Sequence, residues 1–221
     1  DWRTRSSLYV TVEDINILID TTPDFRQQAL KNNIKNIDFV LYTHSHADHT
    51  HGIDDLRIFS YIKKDKIICF ANNHTIDDIK RNFSYIFNKK NISGRPRLDL
   101  REVSGSFREQ GVKIEPLPIK HKDWDILGYR INNFAYITDC SFIPDDTLSK
   151  IQGLDLLIID ALRYSKHDAH LSVDEAIILA QQVGSKKTIL THMGSELKFN
   201  ELVEYLPKGI EPGYDGLILN I

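Results

Sequence analysis

Three imidazoles and a carboxylate fall within six consecutive residues, His44, His46, Asp48 and His49, in the run Thr43-His44-Ser45-His46-Ala47-Asp48-His49. Neutral imidazole is a borderline-soft ligand suited to zinc and its first-row neighbours, and a carboxylate adds charge and tolerance for harder ions such as manganese. If the run leaves the end of a strand, His44 and His46 can point to one side and grip one ion. Asp48 and His49, carried past it by the turn, are then placed to grip a second. That is a dinuclear metal site in outline. With nine histidines in the chain, chance yields such a run in about one chain in a thousand, too rarely to compete with the metal reading.

The segments that must position these groups can be read from the apolar pattern. Leu8 to Val12 and Asn16 to Asp20 read as two strands joined by a Glu13-Asp14 turn, the second ending on an aspartate. Thr22, with Pro23 after it, is expected to cap a helix through Leu30. Ile37 to Tyr42 is a short apolar strand that delivers the histidine run, and Gly52 is expected to open a helix through Tyr61. Ile67 to Phe70 is a strand, Thr75 to Tyr85 a helical stretch, and Val112 to Ile119 a strand ending near His121. Leu127 to Ile131 and Phe134 to Thr138 flank Asn132-Asn133, a two-residue hairpin signal, and the second runs into Asp139. Leu154 to Asp160 is a continuous apolar strand of the kind buried on both faces. Ser172-Val173-Asp174-Glu175 is a capping box opening a helix to Val183, and the strand Lys187 to Thr191 ends at His192. Strands and helices alternate, with polar residues at strand ends, which predicts a layered α/β domain with its site along one edge.

Composition bounds the function. A chain of 221 residues with 41% hydrophobic content can bury one sizeable core, and it shows no compositional break, so 1–221 is expected to be a single domain. Lys and Arg number 28 against 31 Asp and Glu, for a formal charge of −3. That balance does not mark a dedicated nucleic-acid binder. One stretch from Lys80 to Arg101 is locally basic, with Lys80, Arg81, Lys89, Lys90, Arg95, Arg97 and Arg101 against Asp99 alone; it reads as a solvated loop or as a lip for an anionic substrate. Cys69 and Cys140 lie far apart in apolar runs, which suits buried reduced thiols and a cytoplasmic location. No apolar stretch reaches the ~18 residues needed to span a bilayer, so no membrane partner is expected.

Beyond the first run, His121, Asp139, His170 and His192 sit where a strand ends and a loop begins. THSHADH, then His121, then Asp139, then Thr191-His192 resembles the metallo-β-lactamase superfamily along essentially the whole chain. The resemblance implies an αββα sandwich, two mixed sheets face to face with helices outside. It also implies roles: His44, His46 and His121 on one metal, Asp48, His49 and His192 on the other, and Asp139 as the bridging carboxylate. Within the superfamily the likeness is to the PhnP-like phosphodiesterases, which include phosphoribosyl cyclic phosphate phosphodiesterases. It is carried by Asp20-Thr21-Thr22-Pro23-Asp24-Phe25-Arg26, by His49-Thr50-His51-Gly52-Ile53-Asp54-Asp55-Leu56-Arg57, and by Asp160-Ala161-Leu162-Arg163 with His167 and His170. It implies His170 as general acid/base, Asp48 among the catalytic groups, and Arg163 or His167 at the substrate phosphate.

Two departures stand out. Members usually begin with a glycine-rich turn and a cysteine cluster that holds a separate structural zinc with a later histidine. This chain begins at Asp1 beyond that region and has Ser195 at the histidine's position, so no structural zinc and an incomplete N-terminal sheet edge are expected. The resemblance thus implies two divalent ions, Zn or Mn, a metal-bridging hydroxide, and cleavage of a small phosphodiester such as a cyclic phosphate or nucleotide-like substrate. Nucleic acid is the less favoured partner, and a homodimer is the expected assembly. Asp20, Asp54 and Asp160 are candidates to orient the ligand histidines. The alternatives on the same fold are a ribonuclease Z-like endonuclease, a thioester or lactone hydrolase, and a non-catalytic metal-dependent nucleotide-binding module.

Overall fold

Short strands of β-branched and aromatic residues with buried side chains need other strands on both sides, and the chain supplies them in two sheets. The computed structural model describes residues 1–88 and 94–221. These form two compact units, Thr4–Ser104 and Gly105–Ile221, the latter together with Asp1–Arg3. Of the basic stretch, Lys89 and Lys90 lie outside the described residues.

The Thr4–Ser104 unit holds β1 (Leu8–Val12), β2 (Ile15–Ile19), β3 (Phe39–Leu41), β4 (Ile67–Ala71) and β5 (Leu98–Glu102), hydrogen-bonded in that order. β1 and β2 are antiparallel and the remaining pairs parallel, so the sheet is mixed. Its helices are α1 (Phe25–Lys31), α2 (Ala47–Thr50), α3 (Leu56–Lys63), α4 (Asn73–Asn82) and α5 (Ser84–Phe87). Phe25, Ile37, Val40, Tyr42, Leu56, Phe59, Ile76 and Ile79 belong to one buried cluster within this unit.

The Gly105–Ile221 unit holds β6 (Phe107–Glu109), β7 (Val112–His121), β8 (Trp124–Ile131), β9 (Phe134–Ile137), β10 (Leu156–Asp160), β11 (Lys187–Thr191) and β12 (Ile210–Pro212). Their order is β12-β11-β10-β9-β8-β7-β6, parallel from β12 to β9 and antiparallel from β9 to β6. Helices α6 (Asp145–Lys150), α7 (Val173–Val183) and α8 (Phe199–Tyr205) accompany it. Leu117, Ile137, Leu157, Ile159, Val173, Ala176 and Leu190 share its core. Two mixed sheets flanked by helices are the α/β class expected. No helix among the described residues is long and apolar enough to cross a membrane.

Local chemistry explains where the expectations succeed and where they need correction. The capping box at α7 is complete: Ser172 Oγ accepts from the Glu175 backbone, and the Glu175 carboxylate accepts from Ser172 N–H at 2.9 Å. Thr22, however, does not cap α1. Its hydroxyl accepts from Asp24 N–H at 3.1 Å and its carbonyl from Phe25 N–H at 2.9 Å, so a turn over Pro23-Asp24 precedes the helix, which begins at Phe25. The expected helix from Gly52 is likewise divided. Asp48 and His49 already lie on α2, and Gly52 precedes a 3₁₀ turn at Ile53–Asp55 before α3 begins.

Gly52 is required sterically. Its N–H donates to Thr21 O at 2.9 Å, and a Cβ there would stand 2.0 Å from Thr22 O. That approach locks the Thr21-Thr22 turn against the end of the histidine run. Gly52→Ala is therefore expected to cost at least about 2 kcal/mol in denaturant unfolding, as overpacking against backbone does. Gly105→Ala, with nothing within 4 Å of the added Cβ, is the comparison that stays near wild type. Equal midpoints for the two variants would refute the packing account.

Candidate metal centre and acid-base groups

Asp20, wholly buried at the end of β2, organises the histidine run of the Thr4–Ser104 unit. Its Oδ1 accepts from Thr43 N–H and its Oδ2 from Thr43 Oγ–H, both at 2.8 Å, and Oδ2 is also 2.8 Å from His49 Nδ1. Burial pushes the Asp20 carboxyl up, while His49 and the Thr43 donors pull it back. The hydrogen bonds fix tautomers. His49 carries its proton on Nδ1, toward Asp20, which puts the lone pair on Nε2. The single hydroxyl proton of Thr43 goes to Asp20, so at 3.1 Å from His44 Nδ1 that oxygen can only accept, and His44 Nε2 carries its lone pair as well.

The ligand atoms then meet at metal-like separations. Two atoms at ~2.1 Å from a tetrahedral ion stand roughly 3.4 Å apart. His44 Nε2 lies 3.0 Å from His46 Nδ1, and His49 Nε2 lies 3.3 Å from Asp48 Oδ2. A further residue, unmarked in the sequence, braces the loop: Asp78 on α4 accepts from Ser45 Oγ–H at 2.6 Å, between the two histidines, while pairing with Arg81. Asp54 does not join the site. It accepts from the Tyr85 hydroxyl instead.

The Gly105–Ile221 unit presents a second group at its strand ends. His121 closes β7 with Nδ1 2.9 Å from Ala169 O, and burial lowers its pKa, favouring the neutral imidazole that ligates metal. Asp139 follows β9, and its Oδ1 lies 3.3 Å from His192 Nε2. Asp20, Asp139 and His192 all hold left-handed backbone, with φ of +62°, +52° and +54°. Such conformations cost ~1–3 kcal/mol each outside glycine and persist at sites that use the resulting side-chain direction.

His170, 11% exposed, stands among these groups. Its Nδ1 is 3.0 Å from Asp160 Oδ2 and its Nε2 4.0 Å from Asp139 Oδ2, and its ring stacks on His192 at 5.1 Å. Burial drives the Asp160 carboxyl well above its ordinary range, with the Asp139 charge adding to it. Asp160, His170 and His192 also offer ligand atoms within 4.8 Å of one another, so the geometry alone permits His170 as a ligand.

His167 lies 5.1 Å from the His170 ring, and its Nδ1 accepts from Ala169 N–H at 3.1 Å, which leaves the proton of the neutral ring on Nε2. Its pKa is lowered by burial first, then by the charges of His170, Arg163 and Lys122. Arg163 gives two of its donors to the carbonyls of Ser165 and Lys166, bracing the loop that carries His167 and His170. Four cations of the basic stretch are engaged in similar bracing: Arg81 on Asp78, Arg95 on Tyr85 and Asn88 carbonyls, Arg97 on Ser60, and Arg101 on Asp99. Cys69 and Cys140 are buried and free.

Comparison with known proteins agrees with this chemistry. Residues 15–193 match the β-lactamase superfamily domain. A crystal structure described as a new diphosphatase from the PhnP family superposes with a TM-score of 0.90 at 38% identity, covering 97% of this chain and 82% of that one. A Porphyromonas gingivalis protein named octanoyltransferase is 38% identical over 98% of this chain. Exodeoxyribonuclease YycJ of Bacillus anthracis is 23% identical over 76% of it. The chain spans 45% and 61% of the length of those two curated relatives. With a superfamily match over most of its residues and a 38% identical structural relative, the chain belongs to the metallo-β-lactamase superfamily of hydrolases and, within it, to the PhnP-like group.

Proposed function

We propose that the chain is a metal-dependent phosphodiesterase, acting as one catalytic domain, in which His44, His46 and His121 hold one divalent ion, Asp48, His49 and His192 hold a second, and Asp139 serves both. Zinc or manganese suits this donor set. Bound there, the ions would lower the pKa of water and neutralise charge developing on phosphorus.

The observation that carries the reading is the Asp160–His170 pair beside Asp139 and His192. Hydrolysis of an alkyl phosphodiester expels a strongly basic alkoxide, which needs a proton as it leaves. Asp160 holds the His170 Nδ1 proton and stabilises the imidazolium, so Nε2 is the atom that delivers a proton to the leaving oxygen. His167, with its neutral-state proton on Nε2, can donate to a non-bridging phosphate oxygen. Arg163 acts mainly by shaping that loop and adding positive charge to it.

A second reading, acyl transfer or thioester hydrolysis, is favoured by the name of the P. gingivalis relative, although this chain corresponds to less than half of that protein. The nuclease name of the B. anthracis relative instead keeps to phosphodiesters. A panel of bis(4-nitrophenyl) phosphate, 2′,3′-cyclic nucleotides, an octanoyl thioester and a tRNA precursor separates them. Turnover of the small diesters is expected; turnover of the thioester alone would overturn the reading.

Two variants probe the residue roles. His170→Ala should lower kcat by about 10²–10⁴-fold on a diester with an alkoxide leaving group, and far less on one releasing 4-nitrophenolate, with metal content intact. Equal losses would make His170 an orienting group, and loss of metal would make it a ligand. Asp20→Asn presents an NH₂ or a carbonyl to His49 Nδ1 where a carboxylate now accepts, and should weaken metal affinity about 10–100-fold in chelator competition while the circular dichroism stays native. Unchanged affinity would refute the tautomer argument.

A further inference from the structure

The β7–β8 hairpin turns through only two residues, Lys122 and Asp123, with Lys122 at φ +56°. Its last pair is His121 opposite Trp124. Directly opposed residues of an antiparallel pair place their side chains on the same face, with Cβ atoms ~4.5–5.5 Å apart. Trp124 therefore lies beside His121 on the same face, yet the residue is 43% exposed where His121 is 8% exposed.

The tip is held in place. Lys122 N–H donates to Ser141 Oγ at 2.8 Å, and Ser141 Oγ–H donates to Lys120 O at 3.0 Å, tying the hairpin to the segment that follows Asp139. The charges of Lys122 and Arg163 both act on the His167 imidazole. An exposed indole thus stands beside His121, in the same turn as one cation, and the His167 imidazole stands 5.1 Å from the His170 ring with a second cation, Arg163, on its loop. Planar heteroaromatic rings stack on indole, and phosphates seek such cations.

We propose that the hairpin tip Lys122–Trp124 is a nucleotide-recognition element, in which the Trp124 indole stacks on the base of a nucleoside carried by the substrate while Lys122 and Arg163 draw in its phosphate. The inference deepens the phosphodiesterase reading and rests on it for the identity of the reaction, but the binding it describes is measurable without turnover.

The chain has two tryptophans, Trp2 and Trp124, and Trp2 is 70% exposed at the N-terminus. In a Trp2→Phe protein, fluorescence reports Trp124 alone. Adenosine 5′-monophosphate should quench it saturably, and ribose 5-phosphate at the same concentrations should not. In the otherwise wild-type protein, Trp124→Ala should lower the kcat/KM preference for 2′,3′-cyclic adenosine monophosphate over a base-free ribose cyclic phosphate by about tenfold, the scale of one base–aromatic stack, and Trp124→Phe should restore most of it. Equal quenching by both phosphates, or an unchanged preference in Trp124→Ala, would overturn the proposal. Saturable quenching by the nucleotide with no hydrolysis of any diester would support the element and overturn the phosphodiesterase reading instead.

Discussion

An imidazole serves a metal well through one nitrogen when the other is tied down, and in the Thr4–Ser104 unit that task falls to one buried carboxylate. Asp20 binds His49 Nδ1 directly and reaches His44 through the Thr43 hydroxyl, which has one proton and spends it on Asp20. Both lone pairs are thereby set on Nε2. The arrangement needs Asp20 in left-handed backbone at the end of β2, with its N–H bonded to Leu41 O and the neighbouring Thr21 N–H bonded to His49 O. Gly52 closes the same knot, since a side chain there would collide with Thr22 O. Without this knot, the separations of 3.0 and 3.3 Å between these donor atoms would not be preorganised, and a metal bound there would bear the cost of ordering them.

The Gly105–Ile221 unit solves a parallel problem with different parts. Its ligand-type residues stand at the ends of three alternate strands, β7, β9 and β11, at His121, Asp139 and His192, and the hydrogen-bonded pair Asp160–His170 comes from the end of β10 and the loop before the α7 cap. Because the capping box fixes where α7 starts, it also fixes how far His170 can stray, two residues upstream of Ser172. Backbone order here is thus a condition of the chemistry. Burial of Asp160 and the neighbouring Asp139 charge raise the cost of a bare carboxylate, which the His192 imidazole and the backbone donors of Cys140 and Leu171 partly offset.

Much of this was legible in the sequence, for identifiable reasons. Ligand types are rare and strand-terminal, so His44, His46, Asp48, His49, His121, Asp139 and His192 could be proposed as ligands from spacing and resemblance, while Lys187–Thr191 and the α7 box followed from apolar period and cap chemistry. What stayed hidden was set by distance along the chain or by weak local signal. Asp78 meets Ser45 across 33 residues, with nothing in either neighbourhood to pair them. β5 lay in a stretch dominated by its charges, β6 and β12 are three residues long, and α6 and α8 are short helices in segments without a strong apolar stripe. Thr22 looked like a helix cap because the residue type is right; its oxygens serve the turn one step earlier.

The central claim is that the donors of this chain make two metal sites with one shared carboxylate. Elemental analysis of the metal-replete protein tests it most directly, alongside His49→Ala and His192→Ala. The account predicts two divalent ions per chain in the wild type and selective loss of one in either variant. A wild-type stoichiometry near zero, or variants that keep both ions, would contradict it.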